Sequence, residues 1–507
     1  MKKRLFIIAS VILFASLIGS SVIYHFMRDK VNTKVEDDII ISSLDEATLT
    51  FYFPSNGGLE PKGLSRVLEE IQKRTKNQLN IKLIFKFLDS YTSEYSFNIK
   101  DIAAAEGCDA FFFTNEYDIS LADLEREGII MDLTEIFPIY APKYFSKFSK
   151  DELSAVSINN KIMAIPNRLP TAQRKHAMVR EDLMQKYSIP GIKNYWDYEF
   201  YLKVVKGNEP GLIPAMIFNS SLELFAEANG YVIFNNNLGL VYKWTDPDMK
   251  IIPWEQTPEY KNTINTIINW IGKGYAVSGN SIDISVPIGE GKYSSVIGVT
   301  GSEIIYNRIL QSKGVDFRYK SYSLYQDKPS ERSSPLRYTL LVNSRTKNAE
   351  RVIKFIEWLQ SNQENYDLFM YGIEGKDYVL SADKTPVGIS HSDSYENWEG
   401  QNVLLNIEYE RQIQYSSDFT VEKYMNEIES TTSYPPHLGF FPDLQGFKDQ
   451  FLLRQYTFRD FENKLLNGEL KSEDVDTFIN DQKQFEIDKV VNELQNQLNA
   501  WKASKNN

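Results

Sequence analysis

The side chains in this sequence best suited to chemistry are aromatic: 30 Tyr, 30 Phe and 7 Trp, many beside Asn, Asp, Gln or Gly rather than inside apolar runs. Tyrosine and tryptophan offer a flat apolar face with a polar edge, the complement of a sugar ring that is apolar on one face and hydroxylated at its rim. Trp196, Trp244, Trp254 and Trp398 stand in polar, loop-like contexts, whereas Trp270, Trp358 and Trp501 fall on helical stripes and read as packing residues. Covalent chemistry has less to work with. His25, His176, His391 and His437 lie far apart without an H-E-x-x-H pattern, so a zinc hydrolase lacks its ligands. Cys108 is the one cysteine, which excludes an internal disulfide and a thiolate cluster. Gly289-Glu-Gly-Lys-Tyr293 lacks the first glycine of a phosphate loop and reads as a turn. Neither G-x-S-x-G nor G-x-G-x-x-G occurs. The carboxylate pair of a glycosidase is made by the fold rather than by spacing, and among 68 acids any chosen pair is mostly chance. No cofactor or metal is therefore expected, and a glycosidase carboxylate pair stays open at this point.

These side chains need a frame. The length of 507 residues suggests about three domains or two large ones, and 42% apolar residues can build real cores. Lys+Arg of 56 against Asp+Glu of 68 leaves −12, which argues against a nucleic-acid partner. Residues 48–53 read as a strand ending in the turn Pro54-Ser-Asn-Gly-Gly58, and Leu64, Val67, Leu68 and Ile71 then recur at helical spacing. Residues 81–87 form another strand. A helix at 99–106 leads into the apolar run at 108–114, which suits a parallel strand buried on both faces. That alternation is α/β. Strands resume at 315–324 and 338–342, followed by a helix at 348–360, and Ile487, Val490, Val491, Leu494, Leu498 and Trp501 mark a packed stripe on a last helix.

At the amino terminus, Lys2, Lys3 and Arg4 precede the uncharged apolar residues 5–27. Residues 1–28 read as a signal peptide or a membrane anchor. At about 1.5 Å per residue the stretch reaches roughly 35 Å, enough for a hydrocarbon core of about 30 Å, which favours an uncleaved anchor. Gly19, Ser20 and Ser21 leave cleavage near Ser21 open, which would make the protein secreted. The leading positive charges place the body outside the cell membrane, and residues 29–46 read as a tether.

A specific resemblance begins at Tyr371-Gly-Ile-Glu-Gly-Lys-Asp-Tyr378, preceded by Ala349-Glu-Arg-Val-Ile-Lys-Phe-Ile-Glu-Trp-Leu359. With Ala103-Ala-Ala-Glu-Gly-Cys-Asp109, Lys161-Ile-Met-Ala-Ile-Pro166, Met178-Val-Arg-Glu-Asp-Leu183 and Gly439-Phe-Phe-Pro-Asp443, residues 47–505 resemble the extracellular solute-binding proteins of carbohydrate-type ABC transporters. The resemblance implies a two-lobed periplasmic-binding-protein-like fold of class II type, with hinge crossovers and a helical carboxy-terminal extension. Lobe 1 would hold residues 47–168 and 320–363, lobe 2 residues 169–319 and 364–507. It further implies a monomer without catalytic chemistry that captures an oligosaccharide or sugar derivative by hinge closure and delivers it to ABC permease subunits. Two departures stand out. Leu17-Ile-Gly-Ser20 puts serine where relatives carry a lipidated cysteine, so a transmembrane anchor would replace the lipid, and a membrane-anchored sugar sensor is an alternative output. Thr114-Asn-Glu-Tyr117 has no Trp after the strand, which leaves stacking to Tyr117. A secreted glycosidase is the remaining alternative.

Cleft residues are expected at strand ends and crossovers. The candidates are Asn56, Asn115, Tyr117, Arg168, Trp254, Tyr371 and Trp398. Asn56 also suits a Gly-rich turn, and Arg168 at the first crossover also suits a salt bridge. Within the signature, Gly372 and Gly375 would serve hinge geometry, while Glu374 and Lys376 can pair with each other.

Overall fold

Ala47–Ser55 forms strand β1, whose last seven side chains are all buried, as an apolar run requires when both faces of a parallel sheet are covered. The computed structural model describes residues 45–89, 98–105, 107–115, 119–168, 175–218, 221–235, 239–279, 291–299, 314–325, 330–381, 386–389, 393–411 and 430–505, with single positions at 303, 306, 307, 310 and 426. The expected anchor and nearly all of the tether lie outside the described residues, and no described helix is long and apolar enough to cross a membrane.

β1 runs parallel to β2 (Ile81–Asp89) and β3 (Cys108–Phe113). The hairpin β4 (Ser157–Ile158) and β5 (Lys161–Ile162) leads to β6 (Ile165–Pro166). The chain then enters a second sheet through β7 (Lys175–Arg180) and β8 (Ala215–Ile217). β9 (Tyr231–Asn235), β10 (Leu240–Lys243) and β11 (Ile252–Pro253) form an antiparallel side sheet. β12 (Ala276–Ser278), β13 (Ser295–Val299) and β14 (Tyr319–Ser323) complete the second sheet. β15 (Ser330–Glu331) precedes β16 (Thr339–Val342), which returns to the first sheet. The hairpin β17 (Tyr378–Leu380) and β18 (Pro386–Gly388) follows, and β19 (Thr432–Ser433) pairs with β15.

Both large sheets follow one plan. Their orders are β2-β1-β3-β16-β6 and β12-β8-β13-β7-β14. In each, the fourth strand runs antiparallel to its neighbours and the other strands run parallel to one another. That odd strand is the one arriving from the other lobe: β7 follows β6 directly, and β16 returns after β14. The expected two-lobed α/β fold with crossovers is the one observed.

Element bounds follow from available partners. Strand β14 is shorter than the expected 315–324, because its ladder with β7 stops at Tyr319 opposite Arg180, where β7 gives way to helix Glu181–Lys186. The expected division between lobes also changes. Residues 320–323 belong to the second sheet, whereas Tyr366, Phe369, Tyr371, Tyr378, Trp398 and Leu404 are buried in the first core with Phe51, Phe53 and Phe85. The reason is local: helix Gln363–Tyr371 follows helix Ala349–Leu359 after three residues, too short a link to leave the lobe.

The carboxy-terminal extension packs on the second lobe. Ile487, Val490, Leu494 and Leu498 of helix Ile487–Lys505 are buried against Val232, Tyr242 and Met249, and the Trp501 ring lies 5.6 Å from Phe440. Helix Lys448–Leu466 is fastened by the wholly buried Arg454, which donates to Glu255 at 2.7 Å and to Gln482 at 3.0 Å. His437 Nδ1 lies 2.8 Å from the Tyr242 hydroxyl, and burial pushes its pKa down to about 4.

The unfolded chain therefore takes up that proton first, near pH 6.5, so the stability contributed here is present above pH 6.5 and declines as pH falls toward 4. The full effect is about 3 kcal/mol. His437→Gln should flatten the unfolding free energy across that window relative to the parent, measured by urea titration at a series of pH values. An unchanged slope would contradict the assignment.

Candidate ligand cleft and hinge

Because β6 runs with β1–β3, and β14 with β8, β12 and β13, each crossover leaves its sheet at the edge where the parallel strands end. The carboxyl ends of both sheets consequently flank the crossovers. On the first lobe, β1 ends in the tight turn Asn56–Gly58. Asp89, at the end of β2, accepts the Gly57 N–H at 3.0 Å. Gly58 has φ +65°, and a Cβ there would stand 3.1 Å from the Asp89 nitrogen, so the turn needs glycine. Asn56 is exposed, its carbonyl accepting the Leu59 N–H. Asn115, just beyond β3, is also exposed and donates its N–H to Leu336 O at 3.2 Å. Tyr52 pairs with Phe111 in the parallel ladder, and Asn56 and Asn115 each stand just past the carboxyl end of their strand. Tyr117 lies outside the described residues.

Sequence reasoning missed other groups at these edges. His176, second residue of β7, lies between Gly298 and Ser323 of the neighbouring strands. Arg337 and Tyr338 enter β16, with the guanidinium 5.4 Å from the Tyr338 ring centre. The signal available was positional, since each adjoins a strand that begins at a crossover.

Arg168 stands where the first crossover leaves β6. Its N–H donates to Leu405 O at 2.8 Å, and its carbonyl accepts the Ile407 N–H at 3.0 Å. The guanidinium donates to Lys147 O at 2.6 Å, with Glu152 at 3.8 Å and Glu408 at 3.7 Å. Its guanidinium is engaged at the crossover by Lys147 O and these carboxylates and is not presented as the expected ligand clamp. At the second crossover Arg332 donates its N–H to Ser433 O at 2.8 Å and its Nε to Thr432 Oγ1 at 3.2 Å. Its guanidinium lies 5.0 Å from the Tyr434 ring centre. Burial, then the Glu152 charge, push the Tyr434 hydroxyl up, so it stays protonated.

Three aromatic candidates are core residues. Trp398 is 7% exposed and meets Phe53, Phe87, Phe369 and Phe85 edge-on at 5.0, 5.5, 5.9 and 6.0 Å, while its indole N–H donates to the Tyr395 hydroxyl. Trp254 packs edge-on at 5.0 Å against Tyr260 in the second core. Tyr371 is buried, donating its hydroxyl to Glu410 at 2.7 Å. Each ring is already enclosed, so none can stack on a ligand in the cleft.

The signature builds a turn in the first lobe and not at the crossovers. Asp377 accepts the N–H groups of Ile373 at 2.8 Å and Tyr395 at 3.1 Å and pairs with Arg66. Gly372 has φ +90°, and a Cβ there would stand 2.6 Å from Asp377 Oδ2. Gly375 donates its N–H to Tyr378 O at 2.7 Å, and Glu374 bridges to Tyr378. Glu374 and Lys376 are exposed on the outside of this turn.

No family model matches the chain. Its sequence is similar to a carbohydrate ABC transporter substrate-binding protein of Streptococcus pneumoniae serotype 4 (strain ATCC BAA-334 / TIGR4), with 20% identity over 472 residues that span 88% of this chain and 90% of the relative. Its structure is similar to the N-glycan transport solute binding protein NgtS of Streptococcus pneumoniae, with TM-score 0.69 and 17% identity over 90% of this chain and 100% of that one. The alginate-binding protein AlgQ2 matches with TM-score 0.63 and 14% identity over 90% of this chain and 99% of that one. The Streptococcus pneumoniae substrate binding protein FusA in complex with kestose matches with TM-score 0.62 and 16% identity over 90% and 100%. The fold is therefore that of two-lobed solute-binding proteins, as the sequence resemblance implied.

Trp398→Ala should lower the unfolding free energy by about 3–5 kcal/mol, as measured in denaturant. A loss below about 1 kcal/mol would mean the ring is not the core anchor its contacts describe.

Proposed function

We propose that this protein is the extracytoplasmic substrate-binding component of an ABC importer, capturing an oligosaccharide or sugar derivative between its lobes. The observation that carries this reading is the doubled sheet plan, which turns the carboxyl ends of both sheets, with Asn56 and Asn115, toward crossovers stitched by main-chain hydrogen bonds. A ligand touching both lobes favours the closed form by its extra contacts there, and a permease can read that closure. The sugar class is supported by neighbours whose structures were solved with Man1GlcNAc, Man5GlcNAc and kestose. Binding without catalysis is supported by the name of the relative. Attachment through residues 1–28 and a monomeric state complete the proposal.

Thermal unfolding against mannose–N-acetylglucosamine oligosaccharides, fructo-oligosaccharides, alginate fragments and peptides tests it. Ligand at 100 times its Kd should add about 2.7 kcal/mol and raise the midpoint. Asn56→Ala and Asn115→Ala should each weaken that ligand about tenfold while leaving the unliganded midpoint in place. A shift with peptides alone would sink the sugar class, and release of new reducing ends would sink the binding-only reading.

A further inference from the structure

Beside the hinge lies a hollow of about 290 Å³, lined only by first-lobe residues and the segment that flanks the first crossover. It is separate from the strand ends carrying Asn56 and Asn115: β16 and β6 intervene between β3 and the segment that bonds Arg168. Its floor is rigid. Gln360 and Asn406 are both buried, joined at 2.9 Å, and Gln360 also donates to Leu404 O at 2.7 Å. One wall is the half-buried ring of Tyr409, backed by Tyr366 at 5.6 Å. Two lysines, Lys143 and Lys147, contribute to the lining. Lys147 is held by Glu408 at 2.8 Å, whereas Lys143 has no ion pair among the described residues.

The volume falls just below the roughly 300–1,000 Å³ range of ligand pockets, so it suits one sugar ring and not a chain. The amides of the floor are taken up by each other and by the main chain, so an aromatic wall, hydroxyl groups and the cation of Lys143, with Glu408 committed to Lys147, define the rest of the ligand. We propose that this hollow is a second ligand site, taking a monosaccharide that carries a carboxylate or a phosphate. The acid group pairs with Lys143 and the ring lies along Tyr409. The same short segment lines the hollow through Asn406, Glu408 and Tyr409 and bonds Arg168 through Leu405 and Ile407, so an occupant stiffens the first crossover directly.

Calorimetric titration of the full-length protein in detergent micelles with galacturonate, glucose 6-phosphate and glucose tests this independently of any cleft ligand. Saturable binding of a charged sugar is expected, with glucose at least about tenfold weaker. Lys143→Met and Tyr409→Ala should each weaken it about tenfold, and Asn56→Ala should leave it unchanged. The two charged sugars separate carboxylate from phosphate recognition. Absence of saturable binding by both, equal affinity for glucose, or sensitivity to Asn56→Ala but not to Lys143→Met would overturn the proposal.

Discussion

β7 and β16 each cross from the opposite lobe and insert between two neighbours, held by main-chain hydrogen bonds on both sides. A strand in the interior of a sheet must satisfy its N–H and C=O groups on both edges, so neither can slide or leave without orphaning a ladder. Each lobe is thus closed by chain that belongs, in sequence, to the passage from the other. The parallel strands end beside the crossovers, so polar side chains displayed there lie next to chain that joins the lobes.

The crossovers are stitched mainly through backbone and charge. Arg168 and Arg332 each combine main-chain bonds with guanidinium contacts, and Glu152 faces the first arginine while its charge acts on Tyr434 near the second. Charged groups pinned by several partners tolerate small rotations better than interdigitated side chains do, because Coulomb attraction falls off more gradually with distance than close packing. A hinge built this way can pivot without opening a cavity.

Beneath it lies a layer of buried polar groups. Glu410 accepts the hydroxyls of Tyr366 at 2.9 Å and Tyr371 at 2.7 Å, and Arg411 clasps Asp367 through Nε at 3.0 and 2.9 Å. Burial and then the Glu410 charge push both phenols up, which keeps them as donors. Buried charges of this kind add little net stability over apolar packing, yet losing one partner leaves the other uncompensated, so the arrangement selects one geometry for residues 366–411. In the second lobe, Arg454 and Glu255 hold the extension in the same way.

Local pattern along the chain specifies what can be read over a few residues. The apolar runs of β1 and β3, the helix Ala349–Leu359, the packed stripe of the last helix and, through the resemblance, the two-lobed fold were all legible, since period and burial are read over a few residues. The candidates Asn56 and Asn115 followed from the ends of those strands. The fates of Trp254, Tyr371 and Trp398 were decided only by tertiary structure. Trp398 sits in a polar stretch, but Phe53, Phe85, Phe87 and Phe369, distant in sequence, close around it, and Tyr395 satisfies its indole N–H. Arg168 likewise found its ion-pair partners in Glu152 and Glu408. Burial is a property of the neighbours a fold brings in from elsewhere in the chain, so no window around a residue reports whether its ring or charge remains free for a ligand.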